Sequence, residues 1–220
     1  MTTTGNLPGT DAARHGRGDA DLTIMLAAHD AFRRDLTRLV RTASAADLSD
    51  PARRRSVAAG WELFKHELHL HHTAEDEVIW PALRPRLAHS EHALSVLAAM
   101  EEEHERIDPL LAAVDTAFAQ RGDDSLADVI DALVSTLTGH LGHEERDGLP
   151  LIGVALTAAE WRRVGFKIAR RNGMSEGGEM FAWILAGADG NTAALRTLPP
   201  PLRLLYKAVW KPRLDKTPRW

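Results

Sequence analysis

His71 and Glu75 stand four residues apart, and so do His140 and Glu144. A helix rises about 1.5 Å per residue, so each pair would lie one turn apart on a single helical face. There an imidazole and a carboxylate could ligate one cation together, or the carboxylate could bridge two. The surroundings of the two pairs also match. His71-His-Thr-Ala-Glu-Asp-Glu-Val-Ile-Trp-Pro81 parallels His140-Leu-Gly-His-Glu-Glu-Arg-Asp-Gly-Leu-Pro150. In both, a proline follows the glutamate by six residues and is expected to end the helix. Two lone histidines repeat as well, in Met25-Leu-Ala-Ala-His29 and Met100-Glu-Glu-Glu-His104.

The absence of cysteine narrows the chemistry further. Disulfides, thiol nucleophiles, iron–sulfur clusters and thiolate zinc sites are all excluded. A bound metal must rest on His, Asp or Glu, donors that suit iron, manganese or zinc. Eleven histidines in 220 residues are enough to supply such a site.

Residues 20–150 read as four helices that would carry these groups. The first runs from about Asp21 to Arg41, with Leu22, Met25, Leu26, His29, Phe32, Leu36, Leu39 and Val40 on its apolar stripe. The second starts at Asp50-Pro51, an N-cap followed by proline at the first helical position. Its stripe is Val57, Trp61, Phe64, Leu68, His71, Glu75, Val78. The third starts near Ser90 and reads Ala93, Leu97, Met100, His104, Ile107, Leu111, Val114, Phe118; the fourth follows the loop Arg121-Gly-Asp-Asp and reads Leu126, Ile130, Leu133, Leu137, His140, Glu144. Steps of four and three, joined by short loops, predict an all-α, antiparallel up-down-up-down four-helix bundle. His29, His71, Glu75, His104, His140 and Glu144 keep the period of the stripe while breaking its apolar rule. One core histidine is ordinarily satisfied by a carbonyl. Six polar groups on four core stripes need another account, because burying two unpartnered carboxylates costs several kcal/mol each. A shared cation removes that cost.

With these motifs, residues 20–150 resemble the hemerythrin-like HHE cation-binding domain. The resemblance implies two irons joined by an oxo or hydroxo bridge, with manganese or zinc less favoured. Glu75 and Glu144 would bridge the irons, and His29, His71, His104 and His140 would be terminal ligands. It implies a protein that binds or senses O2, peroxide or nitric oxide, or decomposes peroxide. A di-iron oxidase or oxygenase acting on a small organic substrate, and a metal-storage or structural protein, are the alternatives. Oxygen-carrying hemerythrins have a fifth histidine one turn from the lone one on helix three. Here the positions four away from His104 are Met100 and Asp108. Asp108, Glu101 or a water would have to fill the gap, or a coordination position would stay open.

Weaker signals surround the main one. His66, His69 and His72 recur at steps of three and read as polar positions beside the stripe, with His72 the best substitute ligand if the register slips by one. His143 reads as a surface histidine or a partner of the ligands. Asp76 and Glu145, each following a glutamate of the pairs, either orient histidines of a neighbouring helix or form a solvated acidic face. Pro109 is expected to kink helix three. Gly139 and Gly142 allow close helix approach or leave room beside the metals.

Charge divides the chain near Pro150. Residues 1–150 carry 15 Lys and Arg against 26 Asp and Glu, giving −11, whereas residues 151–220 carry 12 against 5, giving +7. Residues 1–19 read as a polar, disordered leader without the apolar core of a signal peptide, so the expected location is cytoplasmic. Residues 151–220 read as a helical extension that packs on the bundle or forms a homodimer interface. Its first helix opens with a capping box, Thr157-Ala-Ala-Glu160, and ends at Asn172-Gly173; a second spans about Ser175 to Gly187. No groove-reading motif or long apolar run points to nucleic acid or membrane as a partner.

Overall fold

The helix starts follow from local chemistry. The Asp50 side chain accepts from the Ala52 amide at 2.8 Å and opens α2, and Ser90 accepts from the Ala93 amide at 3.2 Å and opens α4. The computed structural model describes residues 20–45, 50–120, 125–186 and 192–220. The leader 1–19 and the loop 121–124 lie outside them. In chain order the helices are α1 (Thr23–Ala45), α2 (Pro51–Ala74), α3 (Trp80–Leu83), α4 (Glu91–Ala119), α5 (Ser125–His143), α6 (Leu149–Ala155), α7 (Ala158–Leu185), α8 (Thr192–Thr197), α9 (Pro200–Leu205) and α10 (Lys211–Asp215). Helices α1, α2, α4 and α5 form the expected antiparallel bundle. Trp61 and Lys65 of α2 both donate to Asp115 of α4, and further along α2 His72 stacks on His104, which lies earlier in α4, so these two helices run in opposite directions. α4 continues through Pro109 as one helix.

The prolines do not end the helices, contrary to the expectation from sequence. A π-helical turn, Glu75–Ile79, joins α2 to α3, and a second, Glu144–Gly148, joins α5 to α6. Pro81 has no N–H, and its ring would press on the carbonyl four residues back. The helix widens instead. The Trp80 amide donates to the Glu75 carbonyl and the Leu149 amide to the Glu144 carbonyl, five residues back in each case. Tyr206–Trp210 makes a third such turn, ahead of Pro212, with Lys211 donating to the Tyr206 carbonyl. Gly148 gives the second turn its room. A Cβ there would stand 3.2 Å from Glu144 Cγ and 3.4 Å from Met100 Sδ. Gly139 and Gly142 have nothing within 4 Å of a Cβ position, so neither serves close helix approach.

Two apolar clusters fill the bundle. One holds Phe32, Leu36, Trp61, Phe64, Leu68, Ile107, Leu133 and Leu137, and the other holds Leu22, Ile79, Trp80, Leu97, Met100, Leu149 and Ile152. His29, Glu75, His104, His140 and Glu144 fall between them along the chain and are themselves buried.

The capping box at Thr157 and Glu160 forms as expected. Gly173 breaks the helical path of α7 with φ 80°. Beyond it, Trp183 sinks into the first cluster and donates to Asp35 Oδ2 at 2.8 Å. Asp35 is buried with its other oxygen held by Arg34 and Arg38 at 2.9 Å each. The extension therefore shares the core of α1 and α2. Two glycines seat two further tryptophans of the extension: a Cβ on Gly178 would collide with Trp210, and one on Gly60 with Trp220. Among the described residues, no helix is long and apolar enough to cross a membrane.

Candidate metal centre

The centre is built from two helical hairpins, α1–α2 and α4–α5, with the π turns at their ends. All six side chains singled out from the sequence converge in it, and His72 joins them. The ligating atoms of His29, His71, Glu75 and Glu144 lie within 4.8 Å of one another, as do the nitrogens of His72, His104 and His140. Glu75 links the groups, with Oε1 3.1 Å from His71 Nε2 and Oε2 3.4 Å from His104 Nε2. Glu144 Oε2 lies 3.1 Å from His29 Nε2, which is 3.2 Å from His71 Nε2. The His72 and His104 rings stack at 3.9 Å between centroids.

His72 is the residue the sequence reading left in reserve. It sits one position past the stripe, and adjacent helical residues point about 100° apart. At the broad interior of a four-helix bundle, both His71 and His72 can still face inward. Neither Asp108 nor Glu101 belongs to either group. Asp108 is exposed, and Glu101 accepts from Arg84 at 2.5 Å.

Carboxylates hold the outer nitrogens of three histidines. His29 Nδ1 donates to Glu145 Oε1 at 2.9 Å, and Arg33 donates to the same oxygen at 2.7 Å. His104 Nδ1 is 3.0 Å from both oxygens of Asp76. His140 Nδ1 donates to Glu103 Oε2 at 2.9 Å, and His143 to the other oxygen at 2.8 Å. Such partners fix ring orientation and leave Nε2 free to ligate. Asp76 and Glu145 thus have the orienting contacts, whereas Glu103 was not singled out from the sequence. The pattern crosses over between hairpins, because the acid after each glutamate serves the lone histidine of the other hairpin.

The donor set fits a cation. Both oxygens of Glu75 and of Glu144, and Nε2 of His72, His104 and His140, are buried with no hydrogen-bond partner. Such groups are expensive in a core unless something satisfies them. Electrostatics gives the same answer. Burial, then the neighbouring Glu144 and Asp76, holds the Glu75 carboxyl well above the usual range. Burial pushes Glu144 the same way, but His29, followed by His71 and His140, overrides it and holds Glu144 down to about 2. Burial pushes His71 down to about 3 and His72 well below its ordinary value. Burial also opposes a charge on His29, yet Glu144 and Glu145 raise it to about 9. Without a cation, then, one carboxylate must keep its proton and the other must lean on a charged imidazole. Cations would take both carboxylates as anions and the imidazoles as neutral donors.

The family model "Hemerythrin HHE cation binding domain" matches residues 20–152. The chain belongs to this family. No curated protein and no solved structure matches it. The HHE domain thus extends from just before α1 into α6, and it includes both π turns. Its cation-binding character agrees with the buried His/Glu groups at its centre.

Proposed function

We propose that the two donor groups bind two iron ions and that the protein uses them to bind or sense O2, peroxide or nitric oxide, or to decompose peroxide. His29 and His71 would hold one ion, His72, His104 and His140 the other, with Glu75 and Glu144 shared between them. The observation that carries this reading is the uneven histidine count of the groups, two against three, around two shared carboxylates. The three-histidine ion would then have one more protein donor, which would leave a position for a small ligand at the ion held by His29 and His71. Iron would supply redox and ligand-binding chemistry there. The protein's part is to fix the donors and keep the site dry: His29, Glu75 and Glu144 have no exposed surface, and Phe32 packs against His71 at 5.2 Å between ring centroids. An apolar wall so close to the donors favours small neutral molecules over a bulky substrate.

Elemental analysis of fresh protein with its absorption spectrum tests the proposal. Two irons per chain, near-ultraviolet absorption, and peroxide loss without an organic additive are the expected results. Stoichiometric zinc and no colour would overturn it. Turnover that requires an organic molecule would instead make the protein a di-iron oxidase or oxygenase.

A further inference from the structure

A cleft of about 410 Å³ opens between α2 and α4, beside the centre. Its buried lining is Leu68, His72 and His104, and its outer lining includes His69, Asp76, Glu101, Glu105 and Asp108. Glu101, Glu105 and Asp108 recur at steps of four and three, so they share one face of α4. Glu101 is taken by Arg84 and Asp76 by His104. Glu105 and Asp108 are exposed, and no ion-pair partner holds either among the described residues. Inside, His72 and His104 are more than nine-tenths buried, and the Nε2 atom of each lacks a partner. A hydrated cation thus meets donors at the mouth and again at the floor. At either end of the bundle it would meet only the apolar clusters, where its desolvation would go uncompensated.

The pseudo-two-fold relation between the hairpins supplies a control within the molecule. Matching His29 to His104 sets Leu26, Asp30 and Arg33 against Glu101, Glu105 and Asp108. On that related side, Arg33 closes over Glu145 at 2.7 Å and presents a cation where α4 presents a free carboxylate. That groove keeps Asp30 and Glu145 beside the Arg33 cation, whereas Glu105 and Asp108 have no cation paired with them among the described residues.

We infer that the α2–α4 cleft is the loading route for divalent cations, with Glu105 and Asp108 as the capture residues and His72–His104 as the first inner donors. This rests on the metal-centre reading above. A focused acidic field raises cation on-rates by about 10-fold or more at low ionic strength, and salt weakens it.

The test is anaerobic mixing of chelator-stripped full-length protein with Fe2+, quenched at timed intervals with a chromophoric Fe2+ chelator that reads the ion not yet taken up, with circular dichroism confirming that each variant is folded. The double variant Glu105→Gln/Asp108→Asn is expected to load about 10-fold more slowly at low salt, lose most of the salt dependence, and reach the wild-type final stoichiometry. The control Asp128→Asn/Asp131→Asn removes equal charge from exposed positions on α5 and is expected to load like wild type. Equal rates for the cleft variant and wild type, or equal slowing in the control, would overturn the route while leaving the centre intact. Wild-type protein that takes up no Fe2+ would overturn the centre and the route together.

Discussion

The hairpins α1–α2 and α4–α5 are near copies, yet they differ at positions in and around the two candidate ligand groups. Both supply a lone histidine, a His–Glu pair, a following acid and a proline-driven π turn. The first hairpin adds His72, where the second has the fully buried Leu141. The second adds Glu103, where the first has Ala28. The repeat therefore brings together two groups of candidate ligands, and its exceptions make the groups unequal. On the proposed function, that inequality is what would separate a centre with an open position from a symmetric cage.

The largest effect should come from removing what the hairpins share. Glu75→Ala or Glu144→Ala is expected to abolish stable binding of both ions, read as metal content after gel filtration. A second readout separates a ligand from a merely structural residue. Metal-free Glu75→Ala should be at least as stable as the metal-free parent, because a buried carboxyl without a partner is gone, whereas metal-free Glu144→Ala should be less stable, because it strands His29; added metal should raise the melting temperature of the parent alone. Full metal occupancy in both variants would show that the sharing is misassigned.

Next comes His72→Leu, which gives the first hairpin the residue that its counterpart already buries. One ion should remain, held by the His29–His71 group, with the second lost or weakened at least 100-fold. Two tightly bound ions in this variant would return His72 to the role of a packing residue.

Much of this was legible from spacing alone. Steps of four and three placed the helices, and the polar residues that kept the step located the centre. Two features were not legible, for different reasons. The stripe marks the single line nearest the bundle axis, whereas the interior is broad enough for His71 and its neighbour; a period cannot reveal that width. The prolines were misread because a missing N–H ordinarily stops a helix. Here it widens one turn and the helix goes on. The third π turn shows that widening is a property of the backbone and not of the metal chemistry. Tyr206–Trp210 has the same proline offset but no acid at its start, and it serves to lay Trp210 on Gly178. The other two differ in the residue at the head of the turn, Glu75 or Glu144, a member of the candidate ligand groups.

The hairpins differ again one turn before the His–Glu pairs, where Glu67 corresponds to Thr136. Glu67 is 1% exposed, and neither of its oxygens has a partner. Burial, and then Glu179 and Glu176 of α7, raises it to about 8. Below about pH 4.5 the carboxyl is neutral whether the chain is folded or not, and it costs nothing. As pH rises toward 8, the unfolded chain releases the proton while the folded chain retains it, so stability is lost across that window and no further above it. Glu67→Gln should therefore match the parent below about pH 4.5 and exceed it increasingly up to pH 8, by on the order of 5 kcal/mol in urea denaturation. A stability difference independent of pH would mean that the carboxyl is not neutral in the fold.

The smallest effect tests the asymmetry from the side of Glu103. This carboxylate holds His140 and His143 at once, and no acid stands at the matching position of the first hairpin, where Ala28 is buried. Losing a partner that orients a ligating histidine typically weakens metal binding 10–100-fold, roughly 1–3 kcal/mol. Glu103→Ala should do this to the ion of the three-histidine group and leave the other unchanged, as measured by chelator competition resolving the two. Glu103→Gln keeps an acceptor for the His140 N–H without the charge, so it should fall between the parent and alanine. Equal weakening of both ions would mean that Glu103 acts through the general field of the acidic helix and not through the ring it holds.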